Sequence, residues 1–256
     1  MARRTGRTQQ LASRAVQIGF LLALLVLWYL ATNFWGVNHL LLPNPVAVWH
    51  QFVDVVRSGD YLSDLRITAT EFAAAFALAS ISGIAVGYFV SRTRYLIRVF
   101  EPLFAGIFSI PIILFLPLYV LFFGLGMESK IALGATISFF PITLATIAGF
   151  GNVDRTLVTA ARSMGASDYQ LFRYVLLPAA MPVIMGGLRI GFTIALLSIL
   201  GSETIASLGG LGHHIVELAE DMEMSRMFAY IVFVVIMVAL LNAVVSHLEM
   251  RGRWRG

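Results

Sequence analysis

Along the 256-residue chain, six long apolar runs alternate with short polar stretches. They cover residues 16–35, 72–90, 102–124, 131–150, 182–202 and 227–247, and Arg189 is the one charge inside them. A helix needs about 20 apolar residues to cross a bilayer, so the pattern predicts six transmembrane helices in a single domain spanning residues 1–256. Arg3, Arg4, Arg7 and Arg14 precede the first run. A cleaved signal peptide is the alternative there, but the run is long for one and no clear A-x-A site follows it. The expectation is therefore a true first span ending in an aromatic belt of Trp28, Tyr29, Phe34 and Trp35. Pro43 and Pro45 break the chain before Val46, Trp49, Phe52, Val53 and Val56, which mark a short amphipathic helix lying at the outer surface. The second run is rich in Ala, Gly and Ser, which lets helices approach closely. Pro111 and Pro117 interrupt the third and Pro141 lies within the fourth. The prolines of the third run suit either a kinked helix lining a pathway or a kinked packing helix.

Between the fourth and fifth runs, residues 151–178 form a polar island. Asp154 caps a helix starting near Arg155, whose Leu157, Ala160, Ala161 and Met164 share one face. Gly165 sits where that helix should end, because glycine tolerates the left-handed cap conformation. Ser167 and Gln170 make a capping box for a second helix, which carries Leu171, Phe172 and Val175 on one face and stops before Pro178. The pattern is a helix–glycine–helix knuckle with an apolar face to lay against the membrane helices and a tip, Gly165 to Asp168, to present elsewhere.

Composition agrees with a membrane protein: 59% of residues are hydrophobic and 12% charged, against about 25% charged in a soluble domain. The chain has no cysteine, hence no disulfide or thiolate chemistry. The net charge of +4 reflects arginines in loops, with no basic stripe of the kind that nucleic acid requires. Placing the N-terminus inside puts 13 of the 18 Lys and Arg residues on the inner side and Arg57, Arg66, Lys130 and Arg226 on the outer. That bias predicts a cytoplasmic knuckle and both termini cytoplasmic.

The knuckle resembles the cytoplasmic-loop signature of bacterial ABC importer permeases, E-A-A-x3-G-x9-I-x-L-P. Here it reads Thr159-Ala160-Ala161, three residues, Gly165, nine residues, then Val175-Leu176-Leu177-Pro178. The spacing matches throughout, and Thr159 in place of Glu is the departure. Leu42-Pro43-Asn44-Pro45, Gly187-Leu188-Arg189-Ile190 and Gly210-Leu211-Gly212 resemble the nitrate, sulfonate and taurine branch of those permeases. The resemblance implies a type I ABC importer permease-like fold in a bacterial inner membrane. It implies a homodimer of permeases, two ATP-binding-cassette ATPase subunits holding ATP and Mg, and an extracytoplasmic substrate-binding protein. It implies a small, often anionic solute, and coupling to the ATPase through Thr159, Ala160, Ala161, Gly165, Ala166, Ser167, Asp168, Leu177 and Pro178.

No nucleotide site is expected in this chain: no G-x-x-x-x-G-K-[ST] occurs, and Gly209-Gly210-Leu211-Gly212 lacks the preceding strand and following lysine. Intramembrane charges are functional candidates by default. Glu71, Glu101 and Glu203 fall at the ends of runs, where an interfacial position is cheap, and the resembling permeases often carry an acidic residue at the place of Glu203. Arg189 either snorkels from about 10 Å depth or pairs with an acidic group, and a buried arginine would suit an anion. Ser109, Pro111, Arg189, Ser198 and Glu203 are the pathway candidates, with Ser138 and Ser202 beside them; small polar residues in spans also serve helix packing. Adjacent His213 and His214 point apart, so no metal site is expected, and His39, His50 and His247 fall in loops or near interfaces. Residues 203–226 read as an acidic outer loop with Glu217, Glu220, Asp221 and Glu223, placed to meet a binding protein or merely solvated. The rival classes are a secondary transporter or channel working without an ATPase, and a membrane-embedded enzyme. Sparse charge at span centres counts against a proton relay, and the histidines lie away from membrane depth.

Overall fold

A computed structural model of the chain describes residues 2–34, 38 and 41–253; Trp35, His39 and Arg255 lie outside them. The described residues are helical, with no strand. The helices are α1 (Ala2–Asn33), α2 (Pro45–Ser58), α3 (Tyr61–Ser91), α4 (Arg94–Phe108), α5 (Leu116–Phe123), α6 (Met127–Gly151), α7 (Arg155–Ser163), α8 (Asp168–Leu171), α9 (Leu177–Ile205), α10 (Leu211–Glu220) and α11 (Met224–Arg253). A 3₁₀ turn at Ile112–Phe115 precedes α5, and a π-turn at Phe172–Leu176 joins α8 to α9.

Four described stretches are long and apolar enough to cross a membrane: Tyr61–Ser91, Met127–Gly151, Asp168–Ile205 and Met224–Val244. They contain three of the six predicted runs and most of a fourth, 227–247. The run at 102–124 is two helical pieces bent by 71° rather than one kinked helix, and counted together they make a fifth candidate. The cause is local. Pro111 and the 3₁₀ turn after it end the α-helical ladder, whereas Pro117 stands in the first turn of α5, where its missing N–H costs nothing. The apolar part of α1, Gly19–Asn33, is shorter than the other candidates.

The chain forms two compact units. One comprises residues 1–61 with 215–233. Its core is Val55, Leu218 and Tyr230, with Tyr61, Ile215 and Met227 packed around them. Trp28 is held in place, its indole N–H donating to the Pro43 carbonyl at 3.0 Å and its ring against Phe228. The expected amphipathic helix is α2, capped by the Asn44 side chain and ended by left-handed Gly59. Within the protein Val48 and Val55 are buried, while Val46, Trp49 and Val56 are exposed. The protein core competes with the membrane surface for the apolar side of a helix, and here it takes the 48/55 stripe.

The other unit comprises residues 62–214 with 234–256 and is built around α6. Half of the apolar window of α6 is buried, the largest share among the candidate spans. Two helices approach it through small residues. On α3 these are Ala75, Ala79, Gly83 and Gly87; on α9 they are Ala180, Gly187, Gly191 and Ala195. Spacings of four and seven residues keep them on one face, as membrane helices require when backbones must meet. A Cβ on Gly87 would stand 2.5 Å from Thr146 Cβ, and one on Gly187 would overlap Ala145 Cβ and come within 3.2 Å of the Pro141 carbonyl. Gly186, the preceding residue, has nothing within 4 Å of the same position.

This contrast gives a paired test. Gly187→Ala overpacks the α6–α9 contact, and about 1–3 kcal/mol of lost stability is expected. Gly186→Ala should leave stability unchanged or slightly raised. Thermal unfolding of the detergent-purified variants measures both, and equal melting temperatures would contradict the packing described.

Candidate functional site

The polar island folds as a knuckle. The Asp154 side chain accepts from the Thr156 amide and starts α7; that bond holds the carboxyl below the usual carboxylate range. Gly165 takes φ +79°, and the amides of Gly165 and Ala166 donate back to the carbonyls of Arg162 and Ala161 at 3.0 and 3.1 Å. These two bonds are the Schellman closure of a helix C-terminus. Two residues later the capping box forms as expected, Gln170 N to Ser167 Oγ at 3.3 Å and Ser167 N to Gln170 Oε1 at 2.9 Å. The tip, Gly165 to Asp168, is solvent-facing except for half-buried Ala166, and Arg162 reaches Asp168 at 3.9 Å across it.

Two expectations for the knuckle are corrected. Of the supposed inward face of α7, Ala161 alone is buried, while Leu157 is 51% and Met164 82% exposed. The short helix touches the chain near its end rather than lying along the bundle. The second helix does not stop before Pro178. The π-turn at Phe172–Leu176 carries the chain straight into α9, with Leu177 N donating to the carbonyl of Phe172. Pro178 then falls in the first turn of α9, and Pro182 follows within that helix. Leu171 is buried as expected, and Phe172 stacks with Phe150 and meets Tyr88 edge-on. Thr159 and Ala160 are exposed, as is Pro178; Leu177 is half-buried.

At the far end of α9 is a second constellation. Asp64, Thr68 and Glu71 lie at i, i+4 and i+7 on α3, so they share a face. Three consecutive amides opening α10 meet side chains there. Gly210 N donates to Asp64 Oδ1 at 3.4 Å, Leu211 N to Thr68 Oγ1 at 2.9 Å, and Gly212 N to Glu203 Oε2 at 2.7 Å. Thr68 Oγ1 in turn donates to Glu203 Oε1 at 2.7 Å. The first amides of a helix have no partner within it, and they carry partial positive charge. A carboxylate and a hydroxyl here answer both needs. Gly210 has φ +101°, and a Cβ on it would run into the Glu203 carboxylate.

Beside this clamp, Lys130 and Glu71 face each other at 3.8 Å, both 1% exposed. Lys130 Nζ also donates to the carbonyls of Leu125 and Gly126 at 2.8 and 2.7 Å. Of the charges expected at interfaces, Glu71 and Glu203 are therefore buried and Glu101 is exposed.

The five pathway candidates do not meet in one place. Glu203 is held in the clamp. Ser109 ends α4 and donates to the Gly106 carbonyl. Ile110 and Ile112, either side of Pro111, line an apolar hollow of about 450 Å³ with Phe115, Tyr119 and Phe140. Ser138, Ser198 and Ser202 are all buried, and Ser202 donates to the Ile199 carbonyl. Arg189 is exposed, lining with Thr193, Ile190 and Gly186 a hollow of about 450 Å³. The supposed acidic loop at 203–226 contains helix α10, because Leu211, Ile215 and Leu218 recur at helical spacing. Among the described residues no three ligating side chains gather around a possible metal.

The family model described as "Binding-protein-dependent transport system inner membrane component" matches residues 70–252. The chain belongs to this family. It is the inner-membrane permease component of such a system. The taurine transport system permease protein TauC of Escherichia coli (strain K12) is 29% identical over 247 residues, covering 94% of this chain and 90% of its own. The riboflavin transport system permease protein RibX of Chloroflexus aurantiacus is 31% identical over 192 residues, covering 75% and 72%. A chain of the MetNI methionine ABC transporter, solved in inward-facing conformations, matches 75% of this permease and 95% of its own length with TM-score 0.65 at 20% identity. At that identity the likeness is one of fold.

For this permease, sequence reasoning missed Asp64, Thr68, Lys130 and the clamp role of Gly210 and Gly212. Lys130 reads as a loop charge because it stands one residue before an apolar run. The available signal was the helical spacing of Asp64, Thr68 and Glu71, which puts three polar groups on one side of α3.

The buried ion pair yields a prediction. Lys130→Met leaves Glu71 as an uncompensated buried charge, and about 3–5 kcal/mol of stability should be lost. Adding Glu71→Gln should restore more than half of it. Denaturant unfolding in detergent compares the two, and a double variant no more stable than the single one would show that the pair is not what Lys130 serves.

Proposed function

We propose that this permease forms the translocation pathway of an ATP-driven importer for a small anionic solute of the sulfonate, taurine or nitrate kind. It works as one six-span permease domain, with both termini and the knuckle in the cytoplasm. Two copies form a homodimer with two ATPase subunits that hold the ATP and Mg, and an extracytoplasmic binding protein delivers the solute. The observation that carries coupling is the knuckle's build. Its tip is rigidly closed by the Schellman bonds and the capping box, and beside it Leu157 and Met164 are left exposed on α7 and its cap. An apolar surface of this kind on a stiff element suits a groove on a partner chain, and a stiff element can transmit that partner's movement. Thr159, Ala160, Ala161, Gly165, Ala166, Ser167, Asp168, Leu177 and Pro178 are the coupling residues by this reading. For the solute, the support is the resemblance to TauC together with Arg189, which lines a hollow beside Thr193. The RibX likeness shows that relatives of similar identity serve an unlike compound, so specificity is assigned to the binding protein. Ser109, Pro111 and Ser198 complete the proposed pathway set.

A mild-detergent pull-down of the tagged permease from native membranes tests the assembly, with crosslinking through Ser167→Cys in this cysteine-free chain. A P-loop ATPase should be recovered. Its absence after crosslinking would favour a secondary transporter or channel.

Gly165→Pro should uncouple ATP hydrolysis from transport while the permease still reaches the membrane. Proline fixes φ near −65° and has no N–H, whereas this position has φ +79° and donates to Arg162. Normal coupling in that variant would refute the assignment. Thr159→Glu, which restores the family pattern, should change coupled hydrolysis by less than about twofold, because residue 159 is exposed and the native chain is built without the carboxylate.

A further inference from the structure

We propose that Glu203 and Thr68 join α9 to the turn at residues 210–212 as one strut, so that the position of the knuckle is reported at the opposite end of the helix. The proposal rests on the coupling reading of the knuckle. From Asp168 to Ile205 the chain is a single helical stretch of 38 residues, roughly 55 Å at about 1.5 Å per residue. Its prolines do not break it, and Gly187 and Gly191 keep its middle in backbone contact with α6. A displacement of the tip is therefore carried along the rod.

At the other end the covalent connection to α10 is the five residues 206–210. A linker of this kind would let the turn lag behind the rod. The clamp removes that slack. Glu203 stands two residues before the end of α9 and holds Gly212 N at 2.7 Å, while Thr68 bridges the same carboxylate to Leu211 N. Both side chains are 1% exposed, so no water competes for these bonds. Charge-assisted bonds of this length weaken steeply when stretched or bent. A Cβ on Gly212 would stand 2.5 Å from the Leu200 carbonyl, so the turn is seated against the rod itself. Beyond the turn the chain carries Glu217, Glu220, Asp221 and Glu223, the acidic segment that the proposed orientation puts on the binding protein's side. Coupling free energies are reciprocal. A strut that passes knuckle movement to this turn also passes an event at the turn back to the ATPase.

Thr68 and Glu203 are positioning residues by this inference, and the test is the assembled transporter in proteoliposomes. The readout is ATP hydrolysis with and without the binding protein that co-purifies with it. Thr68→Val should keep basal hydrolysis within about twofold yet lose the stimulation by the binding protein at least about fivefold. Thr68→Ser, which retains the hydroxyl, should recover it. A purely structural role would lower basal and stimulated hydrolysis together, and that result, or unchanged stimulation, overturns the proposal. Should Thr68→Val not assemble, amide exchange in the unaltered transporter decides. The amides of residues 211 and 212 should stay protected both without nucleotide and with ATP trapped, and rapid exchange in either state overturns the strut. Gly165→Pro separates the two readings. If it uncouples and Thr68→Val does not, the strut fails and the knuckle stands; if it leaves coupling intact, the knuckle reading fails first.

Discussion

Helix α6 is met by α3 and α9 at backbone distance, and the rest of the larger unit depends on that approach. Lipid offers no hydrophobic incentive for two apolar helices to associate, so the gain must come from close packing. Small residues repeated at spacings of four and seven provide it. Gly87 lies against Thr146 and Gly187 against Ala145 and Pro141, with no room for a methyl group at either. Once three helices are fixed so tightly, their ends are fixed as well. That is what allows side chains from α3 and α9 to meet the first turn of α10 with hydrogen bonds of 2.7–2.9 Å.

Polar groups at the end of this packed stack are arranged around one another. Lys130 stands in the first turn of α6, where a positive charge meets the unfavourable end of the helix dipole. Two carbonyls from the preceding turn and the Glu71 carboxylate offset that. Glu203 is matched by a hydroxyl and an amide. Charges placed this way stabilise one arrangement strongly against its alternatives, because each becomes costly if its partner moves away. The same economy operates in the exposed knuckle, where the backbone closes its own open ends.

What the sequence made legible was local. Apolar runs marked the long helices, since twenty uncharged residues leave few other choices. The caps of the knuckle were readable to the residue, because glycine at a left-handed cap and a Ser-x-x-Gln box are decided within a few positions. Where the outcome depends on residues far apart in the chain, the reading failed. Nothing near Lys130 signals that Glu71, 59 positions earlier, will cover it. Nothing in α2 alone says that Val48 and Val55, rather than Val46 and Trp49, will find a core. The interruption after Ser109 was visible as a proline, but its 71° consequence was not, since the same residue at 141 or 182 leaves its helix continuous. Glu203 was singled out for a correct reason, an acid near the end of a span, but its partners Thr68 and Gly212 were not legible.

The π-turn between α8 and α9 has a geometric consequence of its own. A turn of this type holds one residue more than an α-helical turn, and each residue of an α-helix advances the chain by about 100° around its axis. The five residues Phe172–Leu176 thus set the azimuth at which the knuckle leaves the rod. Contraction of this segment by a single residue would preserve both helices, their caps and their lengths, yet swing the tip by roughly a quarter turn or more. The direction in which this permease presents its tip is in that sense written in a residue count rather than in any side chain.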